Sequence, residues 1–157
     1  MEIRNFHPHD LSEIKRIVGS LHPKWFDDQA VINIPIDVPF QKTFVAIDNN
    51  QVVGFICIRS QDGMPYLGWV GVKVNLHNKG IGRALMQRAE DEILKAGAYS
   101  LRVETVVEQN PKDGSYDQTI KFYETCGFKV ETKSELKQFE KFAYRMGTML
   151  KVLKSRL

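Results

Sequence analysis

The chain has 157 residues, of which 43% are hydrophobic and 26% are charged, and this composition is typical of a globular protein with one hydrophobic core. Its 22 basic and 19 acidic residues give a formal net charge of +3, far from the dense basic surface that duplex binding requires, so we expect no nucleic-acid partner. No apolar run approaches the roughly 20 residues that cross a bilayer, which argues against a membrane partner. We expect a single domain over residues 1–157.

Cysteine and histidine usage argues against a metal centre. The histidines lack metal-ligand spacing, and Cys57 and Cys126 stand alone in separate apolar segments. We therefore expect no bound metal. Two isolated cysteines are typical of reduced thiols, and residues 1–4 contain no apolar signal segment, so a cytoplasmic location is predicted.

The first elements along the chain are predicted from hydrophobic spacing. Residues 3–6 form a short candidate strand, and Asp10 is expected to cap a helix. The apolar positions of this helix recur at helical spacing: Leu11, Ile14, Ile17, Val18 and Leu21. Residues 22–42 are expected to be irregular. Prolines would interrupt any element there, and they occur at three positions: Pro23, Pro35 and Pro39.

Strands and helices alternate through the rest of the chain. Apolar runs at 44–47 and 52–58 predict an antiparallel hairpin, and the continuous apolarity of 52–58 predicts a central strand covered on both faces. The later predicted elements are, in order, a strand at 66–74, a helix at 80–96, a strand at 101–107, a loop at 110–116, a helix at 118–125 and a hairpin of 128–132 with 142–150. This order predicts a mixed α/β domain.

The connection between the strand at 66–74 and the helix at 80–96 contains two glycines, Gly80 and Gly82. A turn of this kind creates an anion site, since unpaired amide N–H groups and the positive end of the helix both face it. Without a Cβ at either glycine, a pyrophosphate could approach the backbone closely, with Lys79 and Arg83 adding positive charge at the rim. By itself, such a pair of glycines is as typical of a tight connection as of a ligand site.

Two other phosphate-binding motifs are absent from this turn. A dinucleotide fingerprint needs a third glycine three positions after Gly82, where the chain has Leu85. A Walker loop needs Gly-Lys-Ser or Gly-Lys-Thr at the helix start, where the chain reads Lys79-Gly80-Ile81-Gly82. The turn therefore fits neither class of nucleotide site.

At these residues the chain resembles the GNAT family of N-acetyltransferases. The family's turn usually reads Gln or Arg, two residues, Gly, one residue, then Gly or Ala, and here the run is His77-Asn78-Lys79-Gly80-Ile81-Gly82. A second family signature, an aromatic residue and Tyr followed after three residues by Gly-Phe, matches Phe122-Tyr123 and Gly127-Phe128 in the family's order. His77 departs from the usual Gln or Arg, and we expect it at the phosphate rim or in the packing of the turn.

The resemblance covers most of residues 44–130 and implies a GNAT-like acyl-CoA acyltransferase fold, with a mixed, mostly antiparallel sheet, flanking helices and a V-shaped split in the sheet. It implies acetyl-CoA as the acyl donor. The pantetheine arm would lie beside Val70, Gly71 and Val72. The residues implied for the pyrophosphate are Asn78, Lys79, Gly80, Ile81, Gly82 and Arg83.

The resemblance also implies two catalytic residues, Glu104 and Tyr123. A free alkylamine has a pKa of about 10.4, so a base must remove a proton before it attacks at pH 7. Glu104 resembles the family's usual base, acting directly or through a water, with Glu108 as an alternative, and an N–H near Val72 could stabilise the oxyanion. Tyr123 matches the tyrosine that protonates the departing thiolate. Without the resemblance, Glu104 would be an edge carboxylate and Tyr123 a core residue.

The predicted function is transfer of an acetyl group from acetyl-CoA to a primary amine of a small molecule or peptide, by direct attack in a ternary complex. Acidic residues near the predicted cleft favour a cationic acceptor, with a solvated loop as the alternative: Glu104, Glu108, Asp113 and Asp117. A noncatalytic acyl-CoA-sensing or protein-interaction module is the alternative function. The acceptor and the acyl-chain length are left open, and a homodimer is a possible assembly.

Overall fold

A computed structural model describes residues 1–110, 115–139 and 142–154. The strands are β1 (Glu2–Asn5), β2 (Lys42–Asp48), β3 (Gln51–Gln61), β4 (Met64–Val72), β5 (Ser100–Asn110), β6 (Lys129–Phe139) and β7 (Phe142–Val152). The helices are α1 (Leu11–Leu21), α2 (Asp28–Phe40), α3 (Ile81–Lys95) and α4 (Ser115–Thr125). Within the described residues, no helix is long and apolar enough to span a bilayer.

The strands form one seven-stranded sheet in the order β1-β2-β3-β4-β5-β7-β6. Neighbouring strands are antiparallel except β4 and β5, which run parallel. The predicted α/β fold with a mostly antiparallel sheet and flanking helices is therefore confirmed, as are both predicted hairpins. The central part of the loop predicted at 110–116, residues 111–114, lies outside the described residues.

Helices cover both faces of this sheet. Side chains of α3 and α4 pack on one face, here called the α3 face, against sheet residues such as Ile56 and Val103. Side chains of α1 and α2 pack on the other, here called the α1 face, against Phe55 and Cys57. Because successive residues of β3 alternate between the two cores, its continuous apolar run is explained by burial on both faces.

The prediction of an irregular segment at 22–42 is wrong, because residues 28–40 form α2. The Asp27 side chain caps this helix by accepting a hydrogen bond from the Ala30 amide at 2.8 Å. Three buried positions recur at a spacing of four residues and pack on the α1 face: Ala30, Ile34 and Val38. Burial of this stripe favours the helix even though Pro35 and Pro39 lie inside it.

Asp10 has a different role from the predicted cap of α1, since its side chain makes no cap hydrogen bond to that helix. Its carboxylate instead accepts two hydrogen bonds from the Arg4 guanidinium, at 2.8 and 3.0 Å, and one from the His7 amide at 2.8 Å. Burial alone would raise the pKa of Asp10, but these hydrogen bonds outweigh it and lower the pKa. The buried Asp10 therefore joins β1 to the start of α1.

The backbone of β4 lies unusually close to the α1 core at Gly71, which suggests a test of the packing. A Cβ added at Gly71 would lie 2.7 Å from the Phe55 ring, which is fully buried and has no space to move. We expect Gly71→Ala to lower the free energy of unfolding by about 1–3 kcal/mol, measured by urea denaturation.

The matched control for this variant is Gly19→Ala, because Gly19 lies inside α1 and a Cβ there would meet nothing within 4 Å. This change should stabilise the protein by about 0.5–1 kcal/mol, since alanine favours the helix. An unchanged urea midpoint for Gly71→Ala would contradict the close approach between β4 and Phe55.

Candidate active site

The strands β4 and β5 separate after a short stretch of pairing. They pair only at Tyr66–Arg102 and Leu67–Val103 within the described residues. The register between β3 and β4 shifts directly after this point, leaving Gly68 as the extra residue of a β-bulge. A bulge bends its strand and increases the local twist. Beyond it, β4 and β5 diverge, which produces the V-shaped split that the resemblance implied.

Hydrogen-bond alternation determines which backbone groups of β4 face this split. The Lys73 amide donates to the Val53 carbonyl at 2.9 Å on β3. Hydrogen-bonded and non-hydrogen-bonded pairs alternate along an antiparallel ladder, so Gly71 also directs its backbone groups towards β3. The N–H and C=O groups of Val70 and Val72 consequently point into the split.

The turn between β4 and α3 exposes several amide N–H groups. Asn78 and Gly80 have left-handed backbones, with φ of 62° and 84°, and Gly80 begins the helix without a side-chain cap from the described residues. The first helical hydrogen bond runs from the Ala84 amide to the Gly80 carbonyl at 3.0 Å. The amides of residues 81–83 thus precede the helical ladder and are available to an anion at the positive end of α3.

These amides open onto a cavity of about 460 Å³. Its lining residues are Val72, Leu76, His77, Asn78, Gly80, Ile81, Gly82, Arg83 and Phe122. Six of the nine residues predicted to bind the cofactor are therefore brought together, whereas Val70, Gly71 and Lys79 lie outside the lining. Free amides, a helix N-terminus and the Arg83 guanidinium fit the charge of a pyrophosphate.

His77 stabilises the turn through a hydrogen bond and a ring contact. Its Nε2 lies 2.8 Å from the Val72 carbonyl oxygen, a distance at which a protonated nitrogen donates a hydrogen bond. Its ring also packs edge-on against Trp25, with centroids 5.1 Å apart. These contacts correspond to packing of the turn, one of the two roles expected for His77, and they connect it to the segment between α1 and α2. His77 also lines the cavity, so its place at the phosphate rim stays a prediction.

Phe122 is a lining residue that sequence reasoning did not assign to the site. A Cβ at Gly82 would lie 3.1 Å from the Phe122 ring, so the second glycine of the turn allows α4 to approach the start of α3. The signal was therefore present as the pair of Gly82 and an aromatic residue in the second signature. This pair can be interpreted as a contact only when the packing of α3 against α4 is known.

Glu104 is the first residue of β5 beyond its last pair with β4. Leu101 and Val103 point to the α3 face, so strand alternation directs Glu104 to the α1 face. Its side chain is 48% exposed and lies 3.7 Å from the Arg59 guanidinium. Gln61 also donates a hydrogen bond to Glu104 at 3.3 Å.

Tyr123 occupies the α3 face, in the core beneath α4. Its ring packs against Phe122 and Phe128, with centroid distances of 5.5 and 5.6 Å, and the residue is 6% exposed. Burial is the main cause that raises the pKa of the Tyr123 phenol above its ordinary value. Glu104 and Tyr123 thus lie on opposite faces of the sheet, and neither is among the residues that line the cavity at the start of α3.

The acidic residues near the cleft differ in their environments. A hydrogen bond from Arg145 is the main cause that lowers the pKa of Glu108, and the Lys133 ammonium lowers it further. The Glu108 carboxylate lies 2.8 Å from Arg145 and 3.4 Å from Lys133. Asp113 lies outside the described residues, and Asp117 is half-buried in the first turn of α4. Glu104 and Glu108 already have cationic neighbours, so they add little to an acidic surface.

Comparison with solved structures finds the same fold in several acetyltransferases. An aminoglycoside 6'-N-acetyltransferase complexed with coenzyme A has a TM-score of 0.79 at 18% identity, covering 100% of this chain and 99% of that one. The ribosomal-protein-S18-alanine N-acetyltransferase from Escherichia coli has a TM-score of 0.73 at 19% identity, covering 99% and 96%. An acetyltransferase-like protein from Salmonella typhimurium with its cofactor acetyl-CoA has a TM-score of 0.71 at 20% identity, covering 100% and 96%.

Comparison by sequence is consistent with this likeness. No curated protein matches the chain. A family model described as an acetyltransferase (GNAT) domain matches residues 39–130, more than half of the chain. This match spans the split, the turn and the helix that carries Tyr123, and it confirms the predicted family and enzyme class. The chain belongs to the GNAT family of acetyltransferases.

Proposed function

We propose that this protein transfers an acetyl group from acetyl-CoA to a primary amine of a small molecule or peptide, by direct attack in a ternary complex. The observation that carries the proposal is the split between β4 and β5, which leads into a 460 Å³ cavity bounded by the free amides of α3. This arrangement suits a long ligand with an extended arm and a diphosphate. Two structures with the same fold contain coenzyme A or acetyl-CoA.

The donor side of the site is built from backbone groups. The amides at the start of α3 would hold the pyrophosphate, and Lys79 and Arg83 would add positive charge at the rim. The N–H groups of Val70 and Val72 point into the split, where they would pair with the pantetheine arm and stabilise the carbonyl oxygen of the thioester as negative charge develops on it. Bound there, acetyl-CoA supplies an activated acyl group.

Glu104 is the proposed general base. It stands at the apex of the split on the α1 face, where the acceptor amine would approach the thioester carbonyl. Glu104 would take a proton from the amine, directly or through a water, as the new C–N bond forms. Glu108 is a poorer candidate because its lowered pKa makes its carboxylate a weaker base.

Tyr123 is the proposed general acid. As the C–S bond breaks, the departing thiolate needs a proton, and a phenol on the α3 face could donate it. The Tyr123 phenol is protonated at neutral pH, as a donor must be, and burial, which raises its pKa, makes it a weaker acid than an exposed tyrosine. Base and acid would then act from opposite faces of the sheet on a thioester that lies between the two strands.

We also propose a cytoplasmic location. Cys57 and Cys126 are both buried free thiols, and burial raises the pKa of the Cys57 thiol to about 12. Such cysteines are typical of a reducing compartment. A homodimer and a preference for positively charged acceptors stay predictions from the sequence.

The hydrogen bond between His77 and the Val72 carbonyl leads to a prediction about the affinity for acetyl-CoA. Replacing His77 with alanine should raise the dissociation constant for acetyl-CoA about 3- to 10-fold, because one net hydrogen bond that orders the turn is lost. Isothermal titration calorimetry measures this change. The matched control is His9→Ala, whose imidazole is 76% exposed, and equal affinities for the two variants would contradict the role of His77.

The proposed acid and base are tested together by steady-state kinetics of CoA release over a panel of amines. Tyr123→Phe and Glu104→Gln should each lower kcat about 100-fold or more, because each removes one proton transfer. In the Glu104→Gln variant, kcat/KM for the amine should rise about tenfold per pH unit up to the amine pKa of about 10.4, because the fraction of neutral amine grows with pH.

Two exposed residues provide the matched controls. Tyr99→Phe changes a tyrosine that is 61% exposed, and Glu131→Gln removes the charge of another glutamate that is paired with an arginine, Arg102. Both control variants should keep wild-type turnover. Unchanged turnover in Tyr123→Phe and Glu104→Gln would refute the mechanism, and acetyl-CoA binding without turnover of any amine would favour a noncatalytic module.

A further inference from the structure

Two groups of half-buried rings flank the split. On the β4 side, Phe26 packs edge-on against Trp69 with ring centroids 5.9 Å apart. The indole N–H of Trp69 donates to Asp37 of α2 at 2.8 Å, which fixes the orientation of the ring. The first group therefore consists of Phe26 and Trp69, held at the α1 face just beyond the bulge of β4.

The second group lies at the end of β5. Phe142 and Tyr144 of β7 have ring centroids 5.8 Å apart, and Tyr116 of α4 packs against Phe142 at 6.3 Å. Burial raises the pKa of the Tyr116 phenol, and the Asp27 carboxylate raises it further. Met149 of β7 points to the α3 face, so strand alternation puts Phe142 and Tyr144 on the α1 face, the face that carries the first group. The five rings are here called the ring cluster.

Gln109 contributes a buried polar atom to the second group. It lies directly opposite Tyr144 in the ladder between β5 and β7, so the two side chains share one face of the sheet. Gln109 is 5% exposed, and its Oε1 has no hydrogen-bond partner within the described part of the chain. A buried acceptor without a donor is rare in proteins, and a ligand that brings an N–H or O–H group would satisfy it.

The charges around the ring cluster argue against a polycation. Both carboxylates of β5 already have cationic neighbours, Glu104 with Arg59 and Glu108 with Arg145. Asp37 and Asp27 accept hydrogen bonds from uncharged groups, the Trp69 indole and the Ala30 amide, so these two carboxylates keep their negative charge and can attract a single ammonium group. The half-buried rings are the other feature that this region offers to an acceptor, and aromatic rings prefer to pack edge-on or stacked against other rings.

We propose that the ring cluster binds the acceptor and selects an arylalkylamine, with Gln109 Oε1 accepting a hydrogen bond from the substrate. This assignment deepens the proposed function and rests on it. The aryl group would pack among the five rings, while the primary amine reaches the apex of the split beside Glu104. Selection would follow from ring contacts, since the carboxylates of β5 are already paired.

An acceptor panel tests the substrate class. CoA release is measured with 2-phenylethylamine, n-butylamine and spermidine, and kcat/KM for 2-phenylethylamine should exceed the other two about tenfold or more. Equal or faster acetylation of spermidine would overturn the arylalkylamine assignment while leaving the acetyltransferase function intact. If acetyl-CoA binds but none of these or other amines is acetylated, the proposed function itself fails.

The variant Gln109→Met separates a ligand-binding role from a structural one. Methionine has a similar length but no carbonyl oxygen, so the KM for 2-phenylethylamine should rise about fivefold to tenfold while the KM for acetyl-CoA is unchanged. The Tm should stay the same or rise, because an unpaired buried acceptor is removed. A lower Tm with an unchanged acceptor KM would overturn the role of Gln109.

A conservative ring replacement provides the second variant, and Gln138→Met on the exposed part of β6 is the control that should match the wild type. Phe142→Leu keeps an apolar side chain but removes a ring. Its KM should rise for 2-phenylethylamine and stay constant for n-butylamine, which has no aryl group. Equal changes for both amines would contradict recognition by ring contacts.

Discussion

The parting of β4 from β5 is the constraint on which the rest of the site depends. Inside a sheet, every strand normally satisfies the backbone groups of its neighbours, so a ladder that ends after two residue pairs leaves hydrogen-bonding groups unused. Here these groups are the N–H of Val70 and Val72 and the carbonyl of Val70, since the Val72 carbonyl is already bonded to His77, and a ligand with an extended arm can pair with them. Each arm of the split is anchored on its far side, β4 by β3 and β5 by β7, so the opening persists without a ligand.

The same parting divides the chemistry between two faces. The α3 face carries the free amides at the start of α3 and, separately, the buried phenol of Tyr123, whose apolar surroundings favour the protonated form. On the α1 face, Glu104 is accessible to solvent, with a side chain that is 48% exposed. In the proposed mechanism, the base would meet the acceptor amine on the side of the sheet that is open to solvent, and the acid would act from the buried side.

Local patterns in the sequence predicted most of the fold and the turn with free amides at the start of α3. This turn could be predicted because a helix start depends on neighbouring residues, whereas the roles of Glu104 and Tyr123 came from the family resemblance and stay predictions. The pattern of α2 was obscured by Pro35 and Pro39, whose unfavourable local effect is outweighed by burial of Ile34 and Val38. The role of Gln109 was also inaccessible, because it arises from a strand pairing with Tyr144, 35 positions later in the chain.

Two adjacent aromatic residues between α1 and α2 make contacts on different parts of the site. Trp25 packs against His77, which orders the phosphate turn, and Phe26 packs against Trp69 in the ring cluster. Trp25 and Phe26 are adjacent in the backbone. A ligand that orders the turn beside Trp25 would therefore also restrict the motion of Phe26 in the ring cluster. By thermodynamic linkage such an effect is reciprocal. If one bound ligand orders this dipeptide, the second ligand binds without the entropy cost of ordering it, whichever ligand binds first. If acetyl-CoA and the acceptor bind as proposed, this dipeptide gives them a short covalent path through which binding of one would favour binding of the other.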